Sequence, residues 1–221
     1  MSGVSRIGGF PLTFAKVEIG GHAIELATVD NLEAHLDRDR LLGDRNYEPP
    51  YWALVWSGAK LFLPGFLERH TVAGARVLDV GCGLGLVSLV LSSAGAEVTA
   101  LDRADAALEF LQQSAGRNRL SIECCAMDLG ALDADRQFDH VIAAELLYER
   151  EGFPLLASAL LARLGPQGRL TVVDAHRVDT RSFYEALEEQ GAERTFSDRL
   201  EIREEKTLVR IDVAEFVRSG S

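Results

Sequence analysis

The chain has 221 residues, of which 47% are hydrophobic, and a formal net charge of -11. This length fits one domain with extensions, because domains average roughly 100–200 residues. The acidic balance argues against an extended nucleic-acid interface, which needs a basic face, and favours a protein or a small molecule as partner.

The N-terminal part of the chain is predicted to extend the main domain. Residues 10–29 alternate between apolar and polar around Gly20-Gly21, a pair typical of a two-residue β-hairpin turn. Asp30 or Asn31 is placed to cap a short helix after the hairpin. We predict a hairpin-and-helix extension over residues 1–46 and the main domain over residues 47–221.

Three aromatic residues, Tyr51, Trp52 and Trp56, precede the first predicted strand of the main domain. They could form a surface on which a ligand stacks, or they could pack against the hydrophobic core and close its edge. Ser57 is a candidate N-cap for the helix that follows. Pro64 is predicted to kink or shorten that helix.

A glycine-rich turn then follows a short apolar strand pattern. Residues 77–85 read VLDVGCGLG, and an apolar run from Leu86 begins a predicted helix. Glycines let a ligand approach the backbone, and the helix N-terminus faces the ligand. The third glycine comes one position earlier than in the dinucleotide pattern Gly-x-Gly-x-x-Gly. Asp79 is unfavourable beside a pyrophosphate and suits a ligand with an ammonium or sulfonium group.

Predicted strands and helices alternate regularly after this turn. The strands cover residues 97–101, 122–126, 138–144 and 170–173, and the helices cover residues 104–113, 153–164 and 180–190. Residues 194–216 are predicted to form an antiparallel hairpin around residues 204–206. This alternation predicts a Rossmann-like α/β fold with a mostly parallel sheet and helices on both faces.

Acidic residues recur at the carboxyl ends of these strands, where open α/β sheets bind their ligands. Asp102 lies about 20 residues after the first glycine, where a carboxylate accepts both ribose hydroxyls. Asp128 is placed to accept a hydrogen bond from an adenine amine, with Leu129 against the ring; alternatively, it caps a helix or is solvated. Asp79 is assigned to the end of the ligand that carries the ammonium group of an amino acid.

From Trp56 to Tyr148 the chain resembles the class I, seven-strand methyltransferases that use S-adenosylmethionine (SAM). Asp79-x-Gly-x-Gly-x-Gly resembles their first motif, and residues 49–58, PPYWALVWSG, resemble the segment before that motif in protein lysine methyltransferases. The narrower likeness is to the group that modifies the β subunit of electron transfer flavoprotein, whose bacterial relatives are described as nicotinamide N-methyltransferase-like. Glu145-Leu-Leu-Tyr148 matches the Asp/Glu-x-x-Tyr/Phe signature of that group. The chain departs from that group at Leu129, where many relatives have Trp after the acidic residue.

The resemblance implies SAM as cofactor, S-adenosylhomocysteine as product and a lysine of another protein as acceptor. The implied cofactor-binding residues are Trp56, Asp79, Gly81, Cys82, Gly83, Gly85, Asp102, Arg103, Met127, Asp128, Leu129 and Ala144. Glu145 and Tyr148 are implied to face the methyl-accepting amine as the catalytic pair. No metal is expected.

Glu145 and Tyr148 suit this role chemically. A lysine amine has a pKa of roughly 10.4 and must lose a proton before it attacks a methyl group. A partly dry aromatic mouth lowers the amine pKa, while a carboxylate holds and orients the incoming ammonium. Tyr148 would add a cation–π contact of ~0.5–2 kcal/mol. The alternative is structural: Glu145 caps the following helix and Tyr148 packs beneath it.

Several other functions stay open. The acceptor is alternatively a small-molecule amine or ring nitrogen, or the chain is a scaffold that has lost catalysis. An NAD-binding protein is disfavoured by the glycine spacing. Glu48-Pro49-Pro50-Tyr51 resembles a motif of nucleobase methyltransferases, but it lies too close to the glycine turn for their permuted forms. His176 and Arg177 lie on a loop near the same rim, where such residues are usually solvated.

The expected location is the cytoplasm. Three cysteines, of which Cys124 and Cys125 are adjacent, do not form a disulfide framework and fit a reducing compartment. No apolar run approaches the roughly 18 residues of a membrane-spanning helix, and no signal pattern begins the chain. We expect a monomer without a membrane partner.

Overall fold

A small antiparallel sheet begins the chain. The computed structural model describes residues 5–44, 47–133, 135–204 and 207–219. The strands of the small sheet are β1 (Arg6–Ile7), β2 (Phe10–Ile19) and β3 (His22–Val29). Strands β2 and β3 pair antiparallel, with Ile19 opposite His22. The predicted hairpin around Gly20-Gly21 is therefore confirmed.

A seven-stranded sheet forms the centre of the fold, in the order β6-β5-β4-β7-β8-β10-β9. Its strands are β4 (Arg76–Val80), β5 (Glu97–Asp102), β6 (Ile122–Ala126), β7 (Phe138–Ala144), β8 (Leu164–Asp174), β9 (Ala192–Glu204) and β10 (Thr207–Arg218). Strands β4 to β8 are parallel, whereas β10 pairs antiparallel with both β8 and β9. This confirms the predicted sheet and its C-terminal hairpin, although Glu205 and Lys206 at the predicted turn lie outside the described residues.

Helices cover both faces of this sheet. They are α2 (Ser57–Arg69), α3 (Leu86–Ser93), α4 (Asp105–Asn118), α5 (Phe153–Ala162) and α6 (Arg181–Glu189), and a short helix α1 (Arg38–Gly43) precedes them in the chain. Successive strand residues point to opposite faces, so Val77 joins the apolar cluster of α2, α3 and α4, while Leu78 joins that of α5 and α6. None of the helices in the described ranges is long and apolar enough to cross a membrane.

The N-terminal hairpin lies on α4. The Ala27 N–H donates to Ser114 Oγ at 2.8 Å. The Asn118 side chain accepts from the Glu25 N–H at 2.9 Å and donates to the Glu25 carbonyl at 2.8 Å. These bonds fix β3 along α4, and the boundary after residue 46 stays a prediction.

The predicted N-cap of α2 was wrong, and of the two effects predicted for Pro64, a kink or a shortened helix, the shortening does not occur. Trp56, not Ser57, occupies the N-cap position, and Ser57 is the first helical residue. Pro64 does not shorten the helix, which continues to Arg69. A proline without an N–H removes one hydrogen bond; burial of Phe62, Leu63 and Phe66 around it favours the intact helix.

Candidate functional site

A cavity of about 930 Å³ opens at the carboxyl ends of β4 and β7. From these neighbouring strands the sheet grows in opposite directions, and α/β sheets bind ligands at such a switch point. The predicted site residues that line it are Trp56, Asp79, Gly81, Cys82, Gly83, Gly85, Asp102, Arg103, Asp128, Leu129, Ala144, Glu145 and Tyr148. Met127 instead packs against the apolar cluster of α5 and α6.

The glycine turn between β4 and α3 has a left-handed backbone. Gly81, Gly83 and Gly85 have φ of 67°, 54° and 79°. A Cβ atom on Gly83 would lie 2.9 Å from the Trp52 carbonyl oxygen, so this position requires glycine for space as well as for φ. The Gly81 N–H donates to the Leu101 carbonyl at 2.8 Å and ties the turn to β5.

Asp102, the last residue of β5, fastens the glycine turn from the other side. Its Oδ2 accepts from the Gly83 N–H at 2.9 Å, and its Oδ1 accepts from the Ala104 N–H at 2.9 Å. The side chain is half-buried in the cavity wall. One carboxylate therefore positions both the turn and the chain that enters α4.

Asp79 is a buried acid in the cavity wall. It is 2% exposed, and its Oδ2 accepts from the Ser88 hydroxyl at 2.6 Å and the Ser88 N–H at 3.1 Å. Burial raises the pKa of Asp79 to about 6. Burial also raises the pKa of the neighbouring Cys82 thiol well above its ordinary value, which keeps the thiol protonated near neutral pH.

Arg103 joins three groups at the cavity mouth. Its Nη2 donates to Tyr148 Oη at 3.1 Å and to Glu48 Oε1 at 3.2 Å, and its Nε lies 3.9 Å from Asp128 Oδ1. The Asp128 side chain is 77% exposed and makes no capping bond to the turn Leu129–Ala131. Asp128 is thus an exposed acid on the cavity rim that does not cap the following turn, and its contact with an adenine amine stays a prediction.

Glu145 follows β7 and points its side chain into the protein. Its φ is +60°, and its N–H donates to the Val173 carbonyl at 2.8 Å. The side chain is 1% exposed. Its Oε1 accepts from the Gly58 N–H at 2.8 Å, and its Oε2 forms an ion pair with Arg177. The expected alternative, a cap on the following helix, is replaced by a bond to the first turn of α2, where free N–H groups favour an anion.

Three aromatic residues line the same cavity as Glu145. The Tyr51 ring centroid lies 6.3 Å from those of both Trp56 and Tyr148. Tyr148 is 36% exposed and therefore does not lie beneath a helix. The Arg177 guanidinium lies 4.0 Å from the centre of the Trp56 ring. The sequence favoured a solvated Arg177, and no local pattern indicated this contact.

Gly58 is the residue that makes room for the Glu145 side chain. A Cβ atom on Gly58 would lie 3.0 Å from Glu145 Cγ, which is buried and cannot move into solvent. We expect Gly58→Ala to lower the free energy of unfolding by about 1–3 kcal/mol through overpacking. Gly116→Ala, on the exposed face of α4, should raise it by about 0.5–1 kcal/mol, because no atom lies within 4 Å of the position of the added Cβ. Urea unfolding of both variants measures this, and equal effects would contradict it.

Comparison with known proteins agrees with this geometry. Residues 77–168 match the family model of a methyltransferase domain. They form a class I, SAM-dependent methyltransferase domain. The match includes the glycine turn, Asp102, Asp128, Glu145 and Tyr148, whereas Trp56 and Arg177 of the cavity wall lie outside it.

Relatives of the chain act on different acceptors. The EEF1A lysine methyltransferase 3 of Xenopus tropicalis is 33% identical over 123 residues, which are 52% of this chain and 54% of the relative. The ubiquinone biosynthesis O-methyltransferase of Rickettsia conorii is 28% identical over 148 residues, which are 63% of this chain and 51% of the relative. The chain spans about half the length of these curated relatives.

Solved structures show the same fold. The 16S rRNA N2 G1207 methyltransferase of T. thermophilus, solved with AdoMet and guanosine, has a TM-score of 0.67 at 20% identity, over 94% of this chain and 50% of that one. At this identity the likeness concerns the fold alone.

SAM is the cofactor of this class, and the cavity fits it. Its volume lies within the roughly 300–1,000 Å³ of small-molecule sites. The left-handed glycine turn keeps side chains away from the backbone, Asp79 offers a buried carboxylate, and Asp102 borders the turn. An anionic wall of this kind matches a ligand with ammonium, sulfonium and hydroxyl groups.

Proposed function

We propose that this protein transfers the methyl group of SAM to an amine, and that the acceptor is a lysine side chain of another protein. The observation that carries the proposal is the buried Glu145 carboxylate beside the rings of Tyr51, Trp56 and Tyr148, at the mouth of the cofactor cavity. A carboxylate flanked by aromatic rings binds an alkylammonium through charge and cation–π contacts. The similarity to a lysine methyltransferase supports the same acceptor.

The chain's residues have separate roles in this proposal. SAM, when bound, supplies an electrophilic methyl group on its sulfonium. Glu145 holds the incoming ammonium, and desolvation of the amine as it enters between the aromatic rings lowers the amine pKa, so that the proton leaves to solvent. Tyr148 orients the amine, and its own position is set by the bond from Arg103. Positioning and electrostatics then provide the catalysis.

The cofactor contacts follow from the cavity wall. We propose that Asp79 pairs with the cofactor's ammonium, Asp102 accepts from its ribose hydroxyls and Asp128 accepts from its adenine amine. Leu129, which is 7% exposed, packs against the adenine ring.

SAM affinity should depend on pH through Asp79. Its pKa of about 6 means that the carboxylate is charged above pH 6 and protonated below it. Because the ammonium binds only the charged carboxylate, affinity should be highest near pH 7 and fall by up to about tenfold per pH unit below pH 6. Calorimetry between pH 5 and pH 8 measures this dependence.

Asp79→Asn is the matched control for the pH profile. Asparagine keeps the size and the acceptor for Ser88 but carries no titrating charge. Its SAM affinity should be lower than that of the wild type at pH 7 and nearly independent of pH from 5 to 7. A wild-type profile that is flat, or an unchanged slope in the variant, would show that Asp79 does not pair with the ammonium.

Small-molecule methylation is the second candidate, and the similarity to a ubiquinone biosynthesis O-methyltransferase favours it. Incubation with radiolabelled SAM and lysate, followed by separation by size, distinguishes the two. Label in a discrete protein band supports the proposed function. Label confined to the small-molecule fraction supports the second candidate.

A further inference from the structure

A cation of the chain itself already lies at the acceptor site. The Arg177 guanidinium pairs with Glu145 Oε2 and lies 4.0 Å from the centre of the Trp56 ring. These are the two contacts by which the proposed function recognises an alkylammonium: one buried carboxylate and one aromatic face. Arg177 and the acceptor's cation therefore compete for the same place.

The loop that carries Arg177 is held by its preceding residue. His176 has a left-handed backbone with φ of +52°. Its Nε2 lies 2.8 Å from Asp212 Oδ2, and its Nδ1 lies 3.1 Å from Asp174 Oδ2. His176 thus anchors the loop to β8 and β10, and the long Arg177 side chain extends from this anchor to Glu145.

The Arg177–Glu145 contact is suited to displacement. The Arg177 side chain is 36% exposed, whereas the Glu145 side chain is 1% exposed. Among the described residues, no donor makes a hydrogen bond of good geometry to Glu145 Oε2. Arg177 can therefore move into solvent at little steric cost, and Oε2 can then accept a well-aligned bond from another cation. Glu145 itself stays buried and needs a positive partner in either state.

We propose that Arg177 occupies the acceptor's cation site and makes the enzyme selective for charged amines over neutral acceptors. The proposal rests on the proposed function. An alkylammonium replaces the guanidinium charge for charge, whereas a hydroxyl leaves Glu145 buried without a counter-charge. Arg177 thus weakens the binding of every acceptor and excludes the neutral ones.

NMR of the Trp56 indole N–H tests this competition without any methyl transfer. The chain has two Trp residues, so two indole signals are expected, and Trp56→Phe identifies one of them. The protein is saturated with S-adenosylhomocysteine and titrated with n-butylammonium or n-butanol. If Arg177 fills the site nine-tenths of the time, its removal should tighten n-butylammonium binding about tenfold. We therefore expect a five- to tenfold lower n-butylammonium Kd in Arg177→Met. n-Butanol should cause no shift in the wild type and a measurable shift in Arg177→Met, where no counter-charge of Glu145 has to leave.

Arg181→Met is the matched control, since Arg181 is 84% exposed and pairs with Asp179 outside the cavity. It should bind n-butylammonium as the wild type does. Arg177→Lys keeps a counter-charge for Glu145 if Arg177→Met fails to fold, and its weaker stacking on Trp56 should lower the Kd two- to threefold.

An unchanged n-butylammonium Kd in Arg177→Met, or in Arg177→Lys where only that variant folds, would overturn the proposal. So would n-butanol binding at Trp56 in the wild-type protein, where Arg177 is present. Failure of the proposed function gives a different result, namely that no protein or metabolite is methylated. In that case tighter n-butylammonium binding by Arg177→Met would still show that Arg177 fills a cation site.

Discussion

Asp102→Ala should abolish SAM binding. The substitution removes the carboxylate that accepts from the Gly83 and Ala104 N–H groups, and it removes the proposed acceptor of the ribose hydroxyls. Hydrogen bonds to a charged group contribute about 1.5–3 kcal/mol each. Loss of the two proposed bonds from the ribose hydroxyls corresponds to a SAM Kd that is at least about 100-fold higher. Calorimetric titration of the purified variant with SAM measures this effect.

Asp105→Ala is the control for Asp102. Asp105 is an exposed acid at the start of α4 and does not line the cavity. Its replacement leaves the net charge equal to that of Asp102→Ala and should leave the SAM affinity within about twofold of wild type. Wild-type SAM affinity in a folded Asp102→Ala variant would show that the cavity has been assigned to the wrong residues.

Glu145→Gln should retain SAM binding and lose methyl transfer. Glutamine keeps the oxygen that accepts from Gly58 and fills the same space, but it cannot balance an ammonium or Arg177. Positioned acid–base and charged groups contribute about 10²–10⁴-fold to rate. We expect at least about 100-fold slower labelling of the acceptor, with the SAM Kd within about twofold of wild type.

The control for Glu145 is Glu151→Gln, because Glu151 is an exposed acid on the turn Arg150–Gly152 outside the cavity. It should label the acceptor at the wild-type rate. Unchanged turnover in Glu145→Gln would exclude a direct role for the carboxylate. Loss of SAM binding together with turnover would instead mean that Glu145 only supports the cavity wall.

Most of the sheet was predictable because its signals are local. Residues 122–126 and 138–144 are apolar runs of strand length, and the structure places β6 and β7 at the same bounds. The glycine turn was predictable for the same reason, since each glycine has a positive φ that its own sequence position indicates. Helix starts were predicted less accurately. An N-cap at Ser57 places the start of α2 at residue 58, whereas Ser57 is itself the first helical residue.

The contacts of the acceptor site were not predictable from sequence. Glu145 and Gly58 are 87 residues apart, and Arg177 lies farther from Trp56 along the chain. Only the pairing of β4 with β7 and of β7 with β8 brings these segments to one edge of the sheet. The positive φ of Glu145 also has no sequence signal, because glutamate is not among the residue types enriched in this region of the backbone.

The identity of the labelled amino acid tests the proposed function most directly. The wild-type protein and Glu145→Gln are each incubated with radiolabelled SAM and lysate, the labelled protein band is hydrolysed, and its amino acids are separated. We expect methylated lysine from the wild-type reaction and at least about 100-fold less of it from the variant. Label on another amino acid, label only in small molecules, or equal methyllysine from both proteins would contradict a Glu145-dependent lysine methyltransferase.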